Sequence, residues 1–294
     1  ETARHLLLKA VLPTLPPVKG SYRAAIDYTG AYKSFVLDKV DAQRKLSWVH
    51  GDYRVFQRDK KLDTAEYGRL DHVVTVSELC KQIFDEAFPQ FSSKSLVMPN
   101  ITSKSLITRM AGESVDFDEG FDGIRILDIT RLDPDKGLGI ALRACKLLRQ
   151  KGRNLRWYIL GDGPEKAKME RVIAQENMQD AFILLGSRPN PYPYIKRADM
   201  VVHCSLFEGK SVAMDEAMLL EKPVILTDYP TAKDQVIDAV NGLICETNPE
   251  AVCGAVERLL DNPALVESIV KQLKAFDLPV EASLQVFRDM IMQK

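Results

Sequence analysis

The sequence has 294 residues, of which 46% are hydrophobic and 28% charged, a composition typical of a globular protein long enough for two domains. Its 40 basic and 41 acidic residues leave a formal net charge of -1, so no overall field favours nucleic acid, and we expect no nucleic-acid partner. No apolar run approaches the roughly 18 residues that span a bilayer, and no signal-peptide pattern opens the sequence, which predicts a cytoplasmic protein.

The first part of the chain alternates short β-branched runs with longer polar segments. A helix is predicted in "ETARHLLLKAVL" at the start, and strands are predicted at 23–29, 45–50, 72–77 and 95–100. No strand precedes that helix, so we expect the front of this domain to lie outside the sequence. The polar, glycine-bearing "RMAGESVDFDEGFDG" (109–123) reads as a linker, which predicts a first domain at 1–118 and a second at 119–294.

The second part shows the strand and helix alternation more clearly. Strands are predicted at 124–130, 156–164, 181–186, 200–205 and 241–245 and in "KPVILTD", with helices at 138–152, 165–176, 192–198, 211–220 and 249–260. This order predicts an α/β fold with a parallel sheet of six strands. A last helix at about 280–294 is expected to pack back on the first domain. The five cysteines lie mostly in apolar runs, which predicts reduced thiols.

A pair of glutamates brackets a predicted helix start in "SLFEGKSVAMDEAM". Ligands of parallel α/β sheets bind at the carboxyl ends of strands, where helix N-termini present backbone N–H groups. Glu208 lies in the turn, Ser211 is the candidate N-cap, and Glu216 follows within the helix. The backbone groups available to an anion are those of Gly209, Lys210, Ser211 and Val212. The alternative is that both glutamates are solvated surface residues.

A second candidate anion site lies in "ITRLDPDKGLG". Arg131 provides a planar fork for phosphate oxygens and Lys136 a point charge, on either side of a proline-containing turn. Two exposed loop cations are the alternative interpretation. The glycines of "LGDGP" (160–164) either admit a ligand or only permit an unusual backbone conformation.

Together these segments resemble the retaining glycosyltransferases of family four, which have the GT-B fold of two facing Rossmann-like domains with parallel sheets. The resemblance runs from about residue 23 to near the C-terminus, and it implies an N-terminal domain that is incomplete at its front. Its most specific element is the signature of two glutamates with seven residues between them, which Glu208 and Glu216 reproduce. "TRLDPDKG", "LGDGP", "ADMVVHCS" and "NGLIC" occur in the order typical of the family.

The resemblance implies a role for each candidate residue. Arg131 and Lys136 would bind the donor diphosphate with the helix start at 209–212, Glu216 would bind ribose, and Glu208 would face the transferred sugar. Ser187 and Arg188 would border the base. His50, at the end of "LSWVH", would reach the donor sugar, although a structural histidine bonded to the backbone is the alternative.

The implied activity is retaining transfer of a sugar from a nucleoside-diphosphate sugar, with UDP as the expected nucleotide, to a saccharide or lipid-linked acceptor, in synthesis of cell-surface polysaccharide or glycoconjugate. No metal or other cofactor is expected, because cations and helix amides would stabilise the leaving group. A noncatalytic nucleotide-sugar-binding subunit and a nucleotide-sugar 2-epimerase of the same architecture are the alternatives.

The sequence departs from the family pattern in two places. The glycine-rich loop after the first strand is not found, and "TDYPTAKDQVID" replaces the paired glycines and Pro-Glu of many members. A lipid-linked acceptor would bring the protein to a membrane face, and a group of basic residues fits either that or a solvated surface. The group comprises Arg44, Lys45, Arg54, Arg58, Lys60 and Lys61.

Overall fold

A computed structural model describes residues 7, 10–55, 59–115, 117 and 120–292. They form two compact units. Unit 1 contains the described residues up to Ile101 together with those from Pro279 onward, and unit 2 is Thr102–Leu278. Most of the predicted N-terminal helix lies outside the described residues, as does Arg58.

Unit 1 is built on a parallel sheet whose strands follow one another in sequence order. The strands are β1 (Ser21–Asp27), β2 (Asp41–Val49), β3 (His72–Thr75) and β4 (Ser95–Val97), which confirms the four predicted strands. The helices are α1 (Lys33–Lys39), α2 (Lys60–Arg69), α3 (Glu78–Ala87) and, from the C-terminal end, α11 (Val280–Met292).

Two apolar clusters stabilise unit 1. One contains Tyr67, Phe84 and Phe88, whose rings meet edge-on or tilted at 5.0 to 5.2 Å. In the other, the ring of Trp48 on β2 lies 6.5 Å from that of Phe287 on α11. The last helix therefore packs on the sheet of unit 1, because its apolar face covers a strand that would otherwise be exposed.

Unit 2 contains six parallel strands in the order β10-β9-β8-β5-β6-β7. The strands are β5 (Ile124–Ile129), β6 (Leu155–Leu160), β7 (Phe182–Gly186), β8 (Met200–His203), β9 (Val224–Thr227) and β10 (Leu243–Cys245). The helices are α4 (Lys104–Met110), α5 (Leu138–Gln150), α6 (Lys166–Gln175), α7 (Tyr192–Arg197), α8 (Val212–Leu219), α9 (Pro249–Leu260) and α10 (Pro263–Lys274). The predicted strands and helices of this part are confirmed, and α4 and α10 are additions to them.

The division between the units falls at Ile101, whereas the sequence predicted it at residue 118. Helix α4 belongs to unit 2 because its polar groups are anchored there: Lys104 Nζ donates to the carbonyl of Phe276 at 3.0 Å, and Asn190 donates to the carbonyl of Met110 at 3.0 Å. Polar composition suggested a linker, but these hydrogen bonds fix the segment to one unit.

The strand order of unit 2 reverses between β5 and β8, which lie side by side with Ile126 opposite Met200. Strands on either side of such a point continue into loops that run in opposite directions, and a crevice opens between the loops at the carboxyl edge. Helices cover both faces of this sheet, so its central strands are almost continuously apolar and buried. Thus the fold itself marks the loops after β5 and β8 as the candidate site.

Candidate functional site

The loops after β5 and β8 are joined by backbone hydrogen bonds. Leu206 N–H donates to the carbonyl of Asp135 at 2.8 Å. Gly137 follows a short helical turn at Pro134–Lys136 and has a φ of 62°, and a Cβ built there would lie 1.9 Å from the carbonyl oxygen of Cys204. Only glycine permits this close approach without a shift of the backbone. The approach brings Lys136 beside the loop after β8.

A chain of four charged or titratable side chains runs from this contact into the sheet. Lys136 Nζ lies 2.9 Å from Oε1 of Glu208, and the same oxygen lies 2.8 Å from Nε2 of His203. His203 Nδ1 is 3.1 Å from Oδ1 of Asp128 on β5. His203 and Asp128 are buried, with side chains exposed by 2% and 0%. Charges this deep require partners, and here they provide them for one another.

The pKa values of His203 and Glu208 are shifted in the directions that favour the charged form of each side chain. Burial lowers the pKa of His203, but hydrogen bonds with Asp128 and Glu208 outweigh it and raise the pKa to about 9. For Glu208, burial acts to raise the pKa, yet contacts with His203 and Lys136 lower it to about 2. Burial raises the pKa of Asp128, opposed by its bond with His203. Glu208 is therefore ionised at neutral pH.

The helix start predicted at Ser211 is present. Helix α8 begins at Val212 with Ser211 in the N-cap position, and the Ser211 side chain makes no capping hydrogen bond. The amides of the first turn are therefore not closed off by that hydroxyl, as an anion site requires. Lys210 turns its ammonium to Asp215, 3.0 Å away and buried, so its side chain is held against the helix. Gly209 is buried in the turn.

The segment that departs from the family pattern holds this turn in place. Thr231 Oγ1 donates to the carbonyl of Glu208 at 2.8 Å. Gln235 Nε2 donates to the carbonyl of Ser211 at 2.6 Å and to Oδ1 of Asp215 at 2.8 Å. These side chains replace solvent at the backbone of the turn and fix the path from Glu208 to Ser211.

Glu216 lies one turn into α8 and accepts a hydrogen bond from the hydroxyl of Tyr192 at 2.9 Å. Burial raises the pKa of Glu216, and the bond from Tyr192 opposes that shift. The pKa of Tyr192 itself is raised to about 12, by burial and then by the Glu216 carboxylate. Glu216 is thus half-buried and oriented, rather than a freely solvated surface residue.

Other predicted residues are placed differently. Arg131 has a side chain that is 79% exposed and pairs with Asp133 on its own turn, whereas Lys136 is 12% exposed and bound to Glu208. Ser187 and Arg188 follow β7, where Arg188 Nε donates to the hydroxyl of Tyr194 at 3.2 Å. The predicted roles of these residues remain predictions, and the structure gives each its place at the carboxyl edge of the same sheet.

His50 follows β2 in unit 1, at the carboxyl end of that strand. Its Nε2–H donates a hydrogen bond to the carbonyl oxygen of Tyr28, and the two rings meet edge-on with centroids 4.7 Å apart. These contacts fit the structural alternative for His50 and fix its ring in unit 1. Its predicted contact with the donor sugar remains a prediction.

The glycines of the "LGDGP" turn serve backbone packing. A Cβ on Gly161 would lie 1.8 Å from the carbonyl oxygen of Thr130, and one on Gly163 would lie 2.7 Å from that of Leu132. The turn after β6 is therefore pressed against the loop after β5, with a hydrogen bond from Leu132 N–H to the carbonyl of Asp162 at 3.1 Å. The glycines act here through close approach of backbone to backbone.

Six residues of the site were not predicted from the sequence: Asp128, His203, Tyr192, Asp215, Thr231 and Gln235. Asp128 and His203 are polar residues inside apolar runs, "IRILDIT" and "MVVHCS", and that interruption was the available signal, because a buried polar side chain needs a partner. Tyr192 and Gln235 carried no comparable signal, because each lies in a segment of mixed polarity, "NPYPYIKR" and "TAKDQVID", where a polar side chain does not stand out.

Several other properties concern the whole described chain. Among the described residues, no group of three or more His, Cys, Asp or Glu side chains is arranged to hold a metal ion. Within the same residues, no helix combines the length and the apolar character needed to cross a membrane. The cysteines carry free thiols, as predicted. Of the basic group in unit 1, Arg44 pairs with Asp71 and Arg54 with Asp52.

Comparison with known proteins identifies relatives with shared sequence. Residues 116–276 match the family model described as "Glycosyl transferases group 1". The chain is 30% identical over 196 residues to the amylovoran biosynthesis glycosyltransferase AmsK of Erwinia amylovora, covering 62% of this chain and 48% of that protein. It is 25% identical over 225 residues to the Campylobacter jejuni N-acetylgalactosamine-N,N'-diacetylbacillosaminyl-diphospho-undecaprenol 4-alpha-N-acetylgalactosaminyltransferase, covering 74% and 60%. The chain thus spans about half the length of the relatives it matches.

A solved structure supports the fold. A TarM variant from S. aureus, crystallised with fondaparinux, alpha-GlcNAc-glycerol and UDP, matches with a TM-score of 0.77 at 19% identity, over 99% of this chain and 58% of that one. The α/β fold with two parallel-sheet Rossmann-like units, predicted as the GT-B type, is confirmed by this similarity.

Proposed function

The chain belongs to the glycosyl transferases group 1 family, and on that premise we propose that the protein transfers a sugar from a nucleoside-diphosphate sugar, with UDP as the expected nucleotide and with retention of anomeric configuration. One observation carries the proposal. Glu208 and Glu216 bracket the start of α8 at the point where the strand order reverses, with Lys136 bound to the first and Tyr192 to the second.

The diphosphate, the nucleoside and the sugar of the donor would each contact a different part of the site. The diphosphate would lie on the amides between Gly209 and Val212, where the positive end of α8 favours an anion. Lys136 is placed to contribute its charge because it lies at the same crevice, and exposed Arg131 would turn from Asp133 to the phosphate. Both cations would stabilise the charge that develops on the departing nucleoside diphosphate, so no metal or other cofactor is required by the proposal.

Glu216 would accept hydrogen bonds from the ribose hydroxyls. Tyr192 occupies one of its oxygens, Oε1, and leaves the carboxylate with further acceptor capacity. Ser187 and Arg188 would border the base from the loop after β7. This assignment uses the half-buried position of Glu216, where a charge-assisted hydrogen bond contributes more than at an exposed position.

Glu208 would accept a hydrogen bond from the transferred sugar. Its low pKa keeps it ionised, so it does not act as a general acid at neutral pH. A double-displacement route needs a carboxylate nucleophile at the anomeric carbon. With Glu208 bound to Lys136 and His203 and Glu216 to Tyr192, we favour front-face attack, in which the departing phosphate takes the proton of the acceptor hydroxyl.

The acceptor is proposed to be a saccharide or a lipid-linked saccharide in synthesis of cell-surface polysaccharide or glycoconjugate. The names of the relatives support this class, since one acts in amylovoran biosynthesis and the other is named for a diphospho-undecaprenol acceptor. A lipid-linked acceptor would place a cytoplasmic enzyme at the inner membrane face by peripheral association. His50 is proposed to reach the donor sugar from unit 1.

A donor screen on the complete protein tests the proposal. Thermal denaturation with a panel of nucleotide sugars should show selective stabilisation by one donor, because a ligand that binds only the native state raises its stability. Release of nucleoside diphosphate should then depend on an added saccharide acceptor. Release without acceptor would instead identify an epimerase, and binding without release under any acceptor would identify a noncatalytic subunit.

A pair of variants tests the placement of the nucleotide. Glu216→Gln should weaken UDP binding by about 10-fold or more, the loss expected for a charge-assisted hydrogen bond. Arg131→Ala should weaken it as well. Glu267→Gln, on the exposed surface of α10, is the matched control and should leave the dissociation constant unchanged. Unchanged UDP affinity in both Glu216→Gln and Arg131→Ala would contradict the placement.

A further inference from the structure

The imidazole of His203 lies between two carboxylates and is almost fully buried. Its Nε2 is 2.8 Å from Glu208 and its Nδ1 is 3.1 Å from Asp128. An ionised carboxylate can only accept hydrogen bonds, so two such neighbours require a donor at both ring nitrogens. A neutral imidazole has one donor, whereas an imidazolium has two. The geometry therefore fits a positively charged ring.

The charges around His203 also favour a protonated, positively charged ring. Lys136 and an imidazolium at His203 contribute two positive charges, opposite the carboxylates of Glu208, Asp128 and the more exposed Asp135. Removing the proton from His203 would increase the excess of carboxylates around a buried ring, which is unfavourable in a low dielectric. Within the described residues, the Asp128 side chain hydrogen-bonds to His203 through Oδ1, while its second oxygen, Oδ2, is buried without a hydrogen-bond partner.

We propose that His203 and Asp128 form a positioning pair that holds the Glu208 carboxylate in one orientation, with Oε1 shared by His203 and Lys136 and Oε2 left for a hydroxyl of the transferred sugar. The inference rests on the proposed function for the sugar contact. Within the described residues, the hydrogen bonds of the Glu208 side chain all go to Oε1. A carboxylate fixed at one oxygen presents the other in a defined direction, which is the requirement for orienting a substrate.

Lys136 keeps partners that do not depend on His203. Its ammonium lies 2.9 Å from Glu208 and 3.0 Å from Asp135, so loss of the ring leaves two carboxylates to hold it. Within the described residues, the other titratable groups near the ring include Asp135, Cys204 and Tyr229, whose ring centroid lies 6.2 Å from that of His203. Burial raises the pKa of Tyr229 and of Cys204. For Lys136, burial lowers the pKa, but the contacts with Glu208 outweigh it and raise the pKa, so all three keep their protons in the pH range where His203 titrates.

Imidazole NMR of the complete protein gives a direct test, because the sequence contains only four histidines. The His203 ring should be doubly protonated at neutral pH and titrate near pH 9, whereas His72 should titrate below 6.5 because burial lowers its pKa. His203→Gln assigns its signal, and His72→Gln provides the matched control. In Asp128→Asn the His203 midpoint should fall by about one unit or more, because a carboxylate partner is lost. A neutral ring at pH 7, or a midpoint unmoved in Asp128→Asn, would overturn the proposal.

Kinetics test the positioning role separately. With the donor found in the screen, His203→Gln should lower kcat about 10- to 100-fold while UDP affinity changes less than about threefold, the pattern of a misplaced catalytic contact. The wild-type kcat should also fall as pH rises through about 9, the pKa of His203, and that break should move to lower pH in Asp128→Asn. His72→Gln should behave as wild type.

The outcomes of the two experiments are distinguishable. An unchanged kcat in His203→Gln would overturn the positioning role. If His203→Gln does not fold, the milder Asp128→Asn variant decides by the same kcat and pH criteria. If no nucleotide sugar binds or turns over, the proposed function fails, and the NMR midpoints still decide whether His203 and Asp128 hold a charged ring against Glu208.

Discussion

Raising the pH should destabilise the protein through one residue, His203. Its folded pKa of about 9 exceeds the ordinary value of 6.5 by about 2.5 units, and each unit corresponds to about 1.4 kcal/mol. Because the folded pKa is raised, the folded state binds the proton more tightly than the unfolded state. The stabilisation is complete below pH 6.5 and is lost as the pH rises through about 9. The expected loss is about 3 kcal/mol.

The measurement is urea unfolding of the wild type and of His203→Gln at about pH 6 and about pH 10, with the free energy of unfolding extrapolated to water. Trp157 lies in the core of unit 2 and reports the unfolding of that unit, most directly with Trp48 of unit 1 replaced by Phe. The wild type should lose about 3 kcal/mol more than His203→Gln over this pH interval. Other alkaline titrations cancel in the difference between the two proteins.

Equal pH dependence in both proteins would refute the reasoning, because it would mean that His203 binds no extra proton in the folded state. A wild type that gains stability as the pH rises, relative to His203→Gln, would show that the ring is neutral when folded. In that case burial, which lowers the pKa of His203, would outweigh the hydrogen bonds with Asp128 and Glu208.

Three further predictions concern the support of the site. Gly137→Ala should destabilise the protein by about 2 kcal/mol or more in thermal unfolding, because its Cβ would meet Cys204 at a positive φ, whereas Gly139→Ala, with nothing within 4 Å, should not. Gln235→Ala should cost about 1–3 kcal/mol in chemical unfolding, because two acceptors at the turn after β8 lose their donor. Tyr192→Phe should shift the acid limit of UDP binding to higher pH in calorimetric titrations, because the hydrogen bond from Tyr192 lowers the pKa of Glu216; an unchanged limit would show that Glu216 is not the titrating group.

Much of the fold was predictable because its signals are local. Buried parallel strands are short β-branched runs, Asn248 caps the start of α9, and α5 ends two residues before Gly152, so the predicted elements of unit 2 agree with the structure to within a few residues. The boundary between the units was not predictable in this way. Helix α4 lies in a polar segment, and its tertiary contacts, which include the hydrogen bonds with Phe276 and Asn190 and packing on α7 and α8, assign it to unit 2.

The candidate site was predictable in part. The two glutamates and the helix start at Ser211 are close in sequence, so spacing alone relates them, and the structure places them as expected around the first turn of α8. Arg131 and Lys136 are also close in sequence, yet the structure separates their surroundings: one is exposed beside Asp133 and the other is held by Glu208. Spacing does not reveal which of two loop cations turns toward the crevice.

The sequence by itself determined the alternation of strands and helices, the helix start at Ser211 and the two glutamates around it, because each depends on residues within one or two turns. Only the tertiary structure decided that Lys136 meets Glu208, 72 residues away, and that His203 meets Asp128, 75 residues away. Those contacts exist because β5 and β8 are neighbours in the sheet. Strand order follows from how the whole chain buries its apolar surface, and local spacing does not contain it.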